Sequence, residues 1–275
     1  MKVITIVGAR PQFVKAAVVS RAFSGLNGLV KEKIIHTGQH FDKNMSDIFF
    51  EDMEIPRPDY NLGVGGGSHG ENTGQMLQKI EEVLEKEKPN CLLVYGDTDS
   101  TLAGALAAAK LHIPVVHVEA GLRSYNRKMP EEINRILTDR ISDLLLCPTE
   151  TAVDNLNNEG YKNLDISILK SGDVMQDAAM FYSKKEQAPN FKITEEFILS
   201  TIHRAENTDN DKRLSSILSG LNFIAKSIPV ILPLHPRTKN IIKNAPQSWD
   251  RQKRFIARQF WISRNCCSRV TGQFN

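Results

Sequence analysis

The sequence predicts an α/β fold in which parallel strands alternate with helices. Short apolar runs recur along the chain, stretches with apolar residues at helical spacing separate them, and glycine-rich polar clusters follow several runs. Continuous apolar strands separated by helices are typical of βαβ units, whose parallel sheet is covered on both faces. The 275 residues, 41% hydrophobic and 24% charged, suit one large domain or two ordinary ones.

The first series of elements is regular. Each predicted strand is a short apolar run, and each predicted helix has an apolar face or is rich in alanine. The predicted strands are Val3–Val7, Lys33–His36, Cys91–Tyr95, Pro114–Val118 and Leu144–Cys147. The predicted helices are Gln12–Phe23, Glu71–Lys86, Thr101–Leu111 and Glu131–Ile141. Residues 1–170 are therefore predicted to form an N-terminal Rossmann-like domain.

A second series begins after Gly172 and is shorter. It is predicted to contain strands at Phe197–Thr201 and Pro229–Leu234, helices at Lys212–Ser227 and Thr238–Lys243, and a linker or loop at Tyr182–Ile193. Two strands are fewer than the roughly five or six of a complete sheet. Residues 171–245 are therefore predicted to be only part of a second domain.

Residues 246–275 do not continue the alternation of strands and helices. They are rich in arginine and glutamine and contain Trp249 and Trp261, the two tryptophans of the chain. Two interpretations are favoured: an exposed C-terminal helix or tail, and a frame-shifted or artificial end. A basic patch for nucleic acid is a third and weaker interpretation.

Composition excludes several classes of protein. The net charge of +3 is too small to indicate binding to nucleic acid or to an anionic membrane. The apolar runs are shorter than the roughly 18 residues of a membrane span. Cys91 and Cys147 adjoin apolar runs, and the four cysteines lack zinc-ligand spacing. The first residues lead directly into a motif rather than a signal peptide, so we expect a cytoplasmic protein.

Polar loops follow the first two predicted strands. Ligands of open parallel sheets bind at the carboxyl ends of the strands. Arg10 and Lys15 lie at the start of the first helix, where cations suit a phosphate or a leaving diphosphate, although Arg10 could instead pair with a carboxylate. The glycine fingerprint of dinucleotide sites and the Walker spacing are both absent. Gln39 and His40 follow the second strand, and Gly63–Gly74 is predicted to be a lid or a plain flexible loop.

Three carboxylates are predicted to meet at one edge of the sheet. Asp97 follows one strand, Glu119 ends the next, and Glu131 or Glu132 begins a helix after a proline. A glutamate at the end of a buried strand is costly unless it is paired or functional. Three acids in one cleft would raise some pKa values, which is how a site obtains an acid and a base near neutral pH. Asp99 is instead predicted to cap the following helix.

The second series also carries polar residues at strand ends. His203 and Arg204 follow one strand, and His235 and Arg237 follow the next. A single histidine is usually structural, but the pair of His203 and Arg204 at a strand end favours a functional role. His235 and Arg237 are suited to holding a diphosphate.

These motifs together resemble those of the non-hydrolysing UDP-N-acetylglucosamine 2-epimerase family. The resemblance runs from about residue 1 to about residue 245, and its order and spacing hold throughout. The matching segments are Gly8–Lys15, Thr37–His40, Tyr95–Thr98, His117–Arg123, Pro130–Arg135 and His203–Asn207. One such motif is a weak indication, but six in register are strong.

The resemblance implies a GT-B-like fold, with a complete N-terminal Rossmann-like domain, an incomplete second one, and the substrate in the cleft between domains. It implies C2 epimerisation by elimination and re-addition of UDP, with neither a nicotinamide nor a metal cofactor. Carboxylates and cations are expected on opposite walls. Asp97, Glu119, Glu131 and His203 would be catalytic, and Arg10, Lys15, Gln39, His40, Arg135, Arg204 and His235 would contact the substrate. The partners expected are the UDP-sugar and a second copy in a homodimer, with neither nucleic acid nor membrane.

Several alternatives stay open at this point. The sequence does not assign the individual proton transfers, and both UDP-N-acetylglucosamine and UDP-2,3-diacetamido-2,3-dideoxyglucuronate fit, the second through the motif that runs on to Phe41 and Asp42. The family's Ser-Gly-Gly nucleotide loop is not found, so we expect a C-terminally truncated chain with little or no activity. The competing functions are a nucleotide-sugar glycosyltransferase, a hydrolysing epimerase and an inactive UDP-binding chain.

Overall fold

A computed structural model describes residues 1–38, 57–184, 196–202, 205–232, 238 and 241. These residues belong to two compact units, residues 1–184 and residues 196–241. Within the described ranges, none of the helices is both long and apolar enough to cross a membrane.

The first unit is an α/β layer structure. Its strands are β1 Lys2–Val7, β2 Lys31–His36, β3 Tyr60–Asn61, β4 Cys91–Tyr95, β5 Val115–Val118, β6 Leu144–Cys147 and β7 Ser167–Lys170. Its helices are α1 Arg10–Ser24, α2 His69–Glu87, α3 Asp99–Lys110, α4 Pro130–Ile141, α5 Glu150–Asn158 and α6 Val174–Ser183. A short 3₁₀ helix spans Tyr161–Asn163. The strands form one sheet in the order β3-β2-β1-β4-β5-β6-β7, and every pairing is parallel.

Helices cover both faces of this sheet. On one face, α1 packs Phe13, Ala16 and Ala17 against β1, β2 and β4, and α6 packs on α1. On the other face, α2 and α3 bury their apolar sides with Ile4 and Ile6 of β1. Because both faces are covered, the central strands are mostly apolar. Thr5 of β1 and His117 of β5 are buried polar exceptions.

The second unit contains a smaller parallel pair of strands among the described residues. Its elements are β8 Ile198–Leu199, α7 Ala205–Thr208, α8 Asp211–Ile224 and β9 Val230–Ile231. Strand β8 pairs with β9, and Leu214 and Leu218 of α8 bury against Ile202 and Leu232. The core of this unit is therefore formed by one face of α8 against the residues that follow the strands.

The predicted elements that lie in the described residues are present with small shifts at their ends, whereas the helix predicted at Thr238–Lys243 lies mostly outside them. The prediction omitted β3, α5, β7, α6 and α7, and α6 extends into the segment predicted to be a linker or loop. The predicted loop Gly63–Gly74 is wrong in its second half, because α2 begins at His69 after the cap residue Ser68. The division at residues 170 and 245 stays a prediction, and the segment after residue 245 lies outside the described residues.

The stability of the first unit is expected to depend on pH through His36. This side chain is 1% exposed and packs on the Phe13 ring at a centroid distance of 5.1 Å. Burial lowers the pKa of His36 from its ordinary 6.5 to about 4. Between these two values the unfolded chain binds a proton that the folded chain does not, so stability falls as the pH is lowered from 6.5 to about 4.

We expect His36→Gln to remove this part of the pH dependence. Urea unfolding measured at several pH values through this window should give a flatter profile for the variant than for the unmodified chain. Parallel profiles would show that His36 does not carry the effect. Glu87, whose pKa is lowered from 4.5 to about 2 by hydrogen bonds from Tyr60 and from the lysines beside it, acts mainly below this window, and equally in both proteins.

Candidate active site

The candidate site lies where the order of the sheet reverses. Strand β1 has β2 on one side and β4 on the other. The chain therefore continues toward opposite edges of the sheet after β1 and after β4. The loops after such strands diverge and leave a crevice, which is where open α/β sheets bind ligands. The segments after β1, β4 and β5 carry the predicted motifs, so the fold brings them to one rim.

Gln12 joins the loops after β1 and β4. Its Oε1 accepts hydrogen bonds from the backbone N–H groups of Gly8 at 2.7 Å and Ala9 at 3.0 Å. Its Nε2 donates to the carbonyl of Tyr95 at 2.8 Å and to the hydroxyl of Thr98 at 2.9 Å. The side chain is 1% exposed, so it is a buried amide with its hydrogen bonds satisfied. No role of its own was predicted for Gln12.

Glu119 and Lys15 form an ion pair above the end of β5. The Lys15 Nζ contacts Glu119 Oε2, and the two side chains are only 8% and 20% exposed. Both press against Gly96, where an added Cβ would lie 3.2 Å from Glu119 Oε2 and 3.3 Å from Lys15 Nζ. The ion pair therefore occupies the space that a side chain at position 96 would need. Glu119 was expected to be either paired or functional, and its contact with Lys15 shows that it is paired.

Asp97 is held by two neighbouring residues of α4, Asn134 and Arg135. The guanidinium of Arg135 pairs with Asp97 Oδ2, and Asn134 donates to the Asp97 carbonyl at 3.0 Å. Asn134 also donates to Asp99 Oδ1 at 3.0 Å. The predicted separation of acids and cations onto opposite walls is wrong within the described residues, because Lys15 and Arg135 sit among the acids as their direct partners.

The predicted capping role of Asp99 is also wrong. Thr98 is the N-cap of α3, and its hydroxyl accepts a hydrogen bond from Thr101 N at 3.3 Å. Asp99 instead faces the rim, where its Oδ2 lies 2.8 Å from Nδ1 of His69. This hydrogen bond and, to a lesser extent, the charge of Glu131 raise the pKa of His69. His69 is a polar group of the rim that the sequence analysis placed in a loop.

The two glutamates at the start of α4 have different surroundings. Glu132 is 1% exposed and accepts hydrogen bonds from Ser124 N at 2.9 Å and Tyr125 N at 2.9 Å. It therefore has the structural role predicted for one of the pair. Glu131 is exposed and close enough to influence His69. The rim thus brings together Asp97, Glu119 and, from α4, Glu131.

Several predicted site residues lie outside the described residues. They are Gln39, His40, His203, Arg204, His235 and the side chain of Arg10. Across the part of the chain that the structure describes, there is no group of three or more histidine, cysteine, aspartate or glutamate side chains that could hold a metal ion.

Comparison with known proteins gives consistent matches. The family model described as UDP-N-acetylglucosamine 2-epimerase matches residues 26–259. A UDP-2,3-diacetamido-2,3-dideoxy-D-glucuronate 2-epimerase of Pseudomonas aeruginosa is 58% identical over 245 residues, which are 88% of this chain and 69% of that protein. A UDP-N-acetylglucosamine 2-epimerase homolog of Methanococcus maripaludis is 54% identical over 250 residues, 88% of this chain and 68% of that protein.

A solved structure agrees with these sequence matches. The UDP-GlcNAc 2-epimerase of Methanocaldococcus jannaschii, in complex with UDP-GlcNAc and UDP, superposes with a TM-score of 0.78 at 40% identity. The match covers 98% of this chain and 75% of that chain. The GT-B-like α/β fold class predicted from the sequence is confirmed.

Proposed function

Because the chain belongs to the UDP-N-acetylglucosamine 2-epimerase family, we propose that it inverts C2 of a UDP-linked N-acetylhexosamine-type sugar. One observation supports this most strongly. Asp97 and Glu119 leave adjacent parallel strands at the crevice, and each is in contact with a cation, Arg135 and Lys15 respectively. Two acids on one rim are what a reaction needs when one proton leaves a carbon and another returns.

The chemistry is an elimination followed by an addition. A carboxylate removes the C2 proton while the C1–O bond breaks, the C1=C2 double bond forms, and UDP leaves with the electron pair of the broken bond. UDP then adds back to C1, and a proton is delivered to the opposite face of C2. The C2 hydrogen is a very weak acid, so a positioned base must act together with departure of the stabilised diphosphate.

The residue roles are carried over from the family motifs and are part of the proposal. Asp97, Glu119, Glu131 and His203 take part in the proton transfers, with His203 on the diphosphate side. Lys15 and Arg135 hold the carboxylates in position and meet the substrate when it binds. The further proposed substrate contacts are Arg10, Gln39, His40, Arg204 and His235. The reaction as written uses neither a nicotinamide nor a metal ion.

Two substrates are proposed for this reaction. UDP-N-acetylglucosamine is supported by the complex of the Methanocaldococcus jannaschii enzyme. UDP-2,3-diacetamido-2,3-dideoxyglucuronate is supported by the relative that is 58% identical, and we place it first. We further propose a cytoplasmic homodimer, in which the thiols of Cys91 and Cys147 stay reduced.

Proton NMR in deuterated water tests the proposal. The chain at high concentration is incubated with each UDP-sugar, and the C1 and C2 signals are followed. The expected result is inversion at C2 with deuterium at that carbon and the UDP linkage intact. Free sugar together with UDP would instead indicate a hydrolysing epimerase, and sugar transfer to an added acceptor would indicate a glycosyltransferase. The absence of both deuterium incorporation and UDP binding in calorimetry would contradict the proposal.

A further inference from the structure

We propose that the buried pair of His117 and Asp139 is a positioning device that fixes the two turns carrying Asp97 and Glu119. The catalytic importance of those two acids rests on the proposed function, but the geometry of the device does not. Neither His117 nor Asp139 belongs to the predicted catalytic set.

His117 reaches the turn that presents Asp97. It lies in β5 with a side chain that is 0% exposed. Its Nε2 is 2.7 Å from the carbonyl oxygen of Gly96, the residue directly before Asp97. Its Nδ1 is 2.7 Å from Oδ1 of Asp139. One imidazole therefore connects a helix carboxylate on one side to the catalytic turn after β4 on the other.

Asp139 reaches the turn that follows Glu119. Its Oδ2 accepts a hydrogen bond from Gly121 N at 3.2 Å and another from Nη1 of Arg123 at 2.7 Å. Arg123 in turn makes two bonds of 2.7 Å with the carboxylate of Glu159. The carboxylate of Asp139 thus holds the backbone two residues beyond Glu119, while its other oxygen holds His117.

The hydrogen bonds place a proton on Nε2 of His117. Its partner there is the carbonyl oxygen of Gly96, which can only accept, so Nε2 donates. Asp139 Oδ2 accepts from Gly121 N and Arg123 Nη1, two groups that can only donate. Burial alone would raise the pKa of Asp139, but the hydrogen bond from His117 and the charge of Arg123 outweigh burial and lower it. The His117 ring is thus held at both nitrogens.

The turns need such support because of their backbone. Gly96, Glu119 and Gly121 have φ values of +62°, +70° and +76°. A residue with a side chain pays about 1–2 kcal/mol for this left-handed conformation, so Glu119 keeps it only where its surroundings enforce it. The first bond holds Gly96, which lies against the Glu119–Lys15 pair, and the second holds Gly121, two residues after Glu119. Release of either bond lets the carboxylates move relative to each other.

The first test measures the proton on Nε2 of His117 and requires no substrate. The unmodified chain is labelled with nitrogen-15 at histidine, and ring nitrogens are correlated with ring protons near pH 7. The expected result is a buried histidine with a proton on Nε2, whose signal is lost in His117→Gln. The absence of a proton on Nε2 of His117 would overturn the proposal.

The second test separates positioning from folding. In Asp139→Leu no oxygen remains to accept from Gly121 and Arg123, so we expect exchange of the Gly121 amide hydrogen to accelerate about tenfold or more while the amides of β1 stay protected. The matched control is Glu159→Gln, which removes the other, 33% exposed end of the network and should leave that exchange unchanged. Equal exchange in the two variants would contradict the proposal.

The kinetic consequence is measured on the same variants. A displacement of about 1 Å in a reacting group costs on the order of 100-fold in rate, so kcat should fall by about that factor in Asp139→Leu while KM stays within about twofold. Glu159→Gln should retain kcat. If kcat and KM change together, or if kcat is retained in Asp139→Leu, the pair is merely structural. Absence of both turnover and UDP binding in the unmodified chain would contradict the proposed function instead, and the exchange experiment would still test the positioning role of the pair.

Discussion

Glu119→Gln is expected to lower kcat for C2 inversion by about 10²–10⁴-fold, the usual contribution of a positioned acid or base. The amide keeps the size of the side chain but can neither take nor return a proton. KM should change much less, because the loss concerns the reaction step rather than binding. The measurement is deuterium incorporation at C2 by proton NMR, with calorimetric UDP binding as the reference for an intact site.

A second variant separates the chemical role of Glu119 from its structural one. Glu119→Gln alone leaves the buried ammonium of Lys15 without its partner, which should cost about 1–3 kcal/mol in the free energy of unfolding. Adding Lys15→Met should restore that stability but not kcat. Recovery of both would show that the loss of kcat in Glu119→Gln came only from the unpaired charge of Lys15.

A matched control makes the same chemical change at a harmless position. Glu150→Gln breaks an ion pair with Lys170 whose side chains are 68% and 57% exposed. Exposed pairs contribute about 0–1 kcal/mol, so stability and kcat should both stay near those of the unmodified chain. A similar loss of kcat in both variants would contradict a specific role for Glu119.

The positions of the site acids were predictable from the sequence, whereas their partners were not. Asp97 and Glu119 follow apolar runs directly, and the end of a strand is a local property of the chain. The contacts of Lys15 with Glu119 and of Gln12 with Tyr95 join segments that are 104 and 83 residues apart. Those contacts depend on which strands are neighbours in the sheet, and a local pattern does not contain that information.

The elements that were missed have equally specific reasons. Strand β7 lies at the sheet edge and is mostly exposed, so Ser167–Lys170 lacks the apolar run of a central strand. Strand β3 has only two residues. The start of α2 does carry a helix signal, because Ser68 stands three residues before Glu71, but the density of glycines around it favoured a loop. At this point a specific capping pattern was the better guide than composition.

Gly121→Ala is expected to lower the free energy of unfolding by about 2–5 kcal/mol. Two effects add at this position. The φ of +76° costs an alanine about 1–2 kcal/mol. An added Cβ would also lie 2.4 Å from the carbonyl oxygen of Ala152, a backbone atom in α5 that cannot move away alone. The measurement is urea unfolding followed by circular dichroism.

Gly160→Ala is the matched control for this prediction. Gly160 has a φ of +84°, but an added Cβ there meets no atom within 4 Å. Its substitution should therefore cost only the conformational part, about 1–2 kcal/mol. The difference between the two variants isolates the close approach of Gly121 to α5. Equal losses would show that backbone conformation alone requires glycine at position 121, and that the turn after Glu119 has room to move.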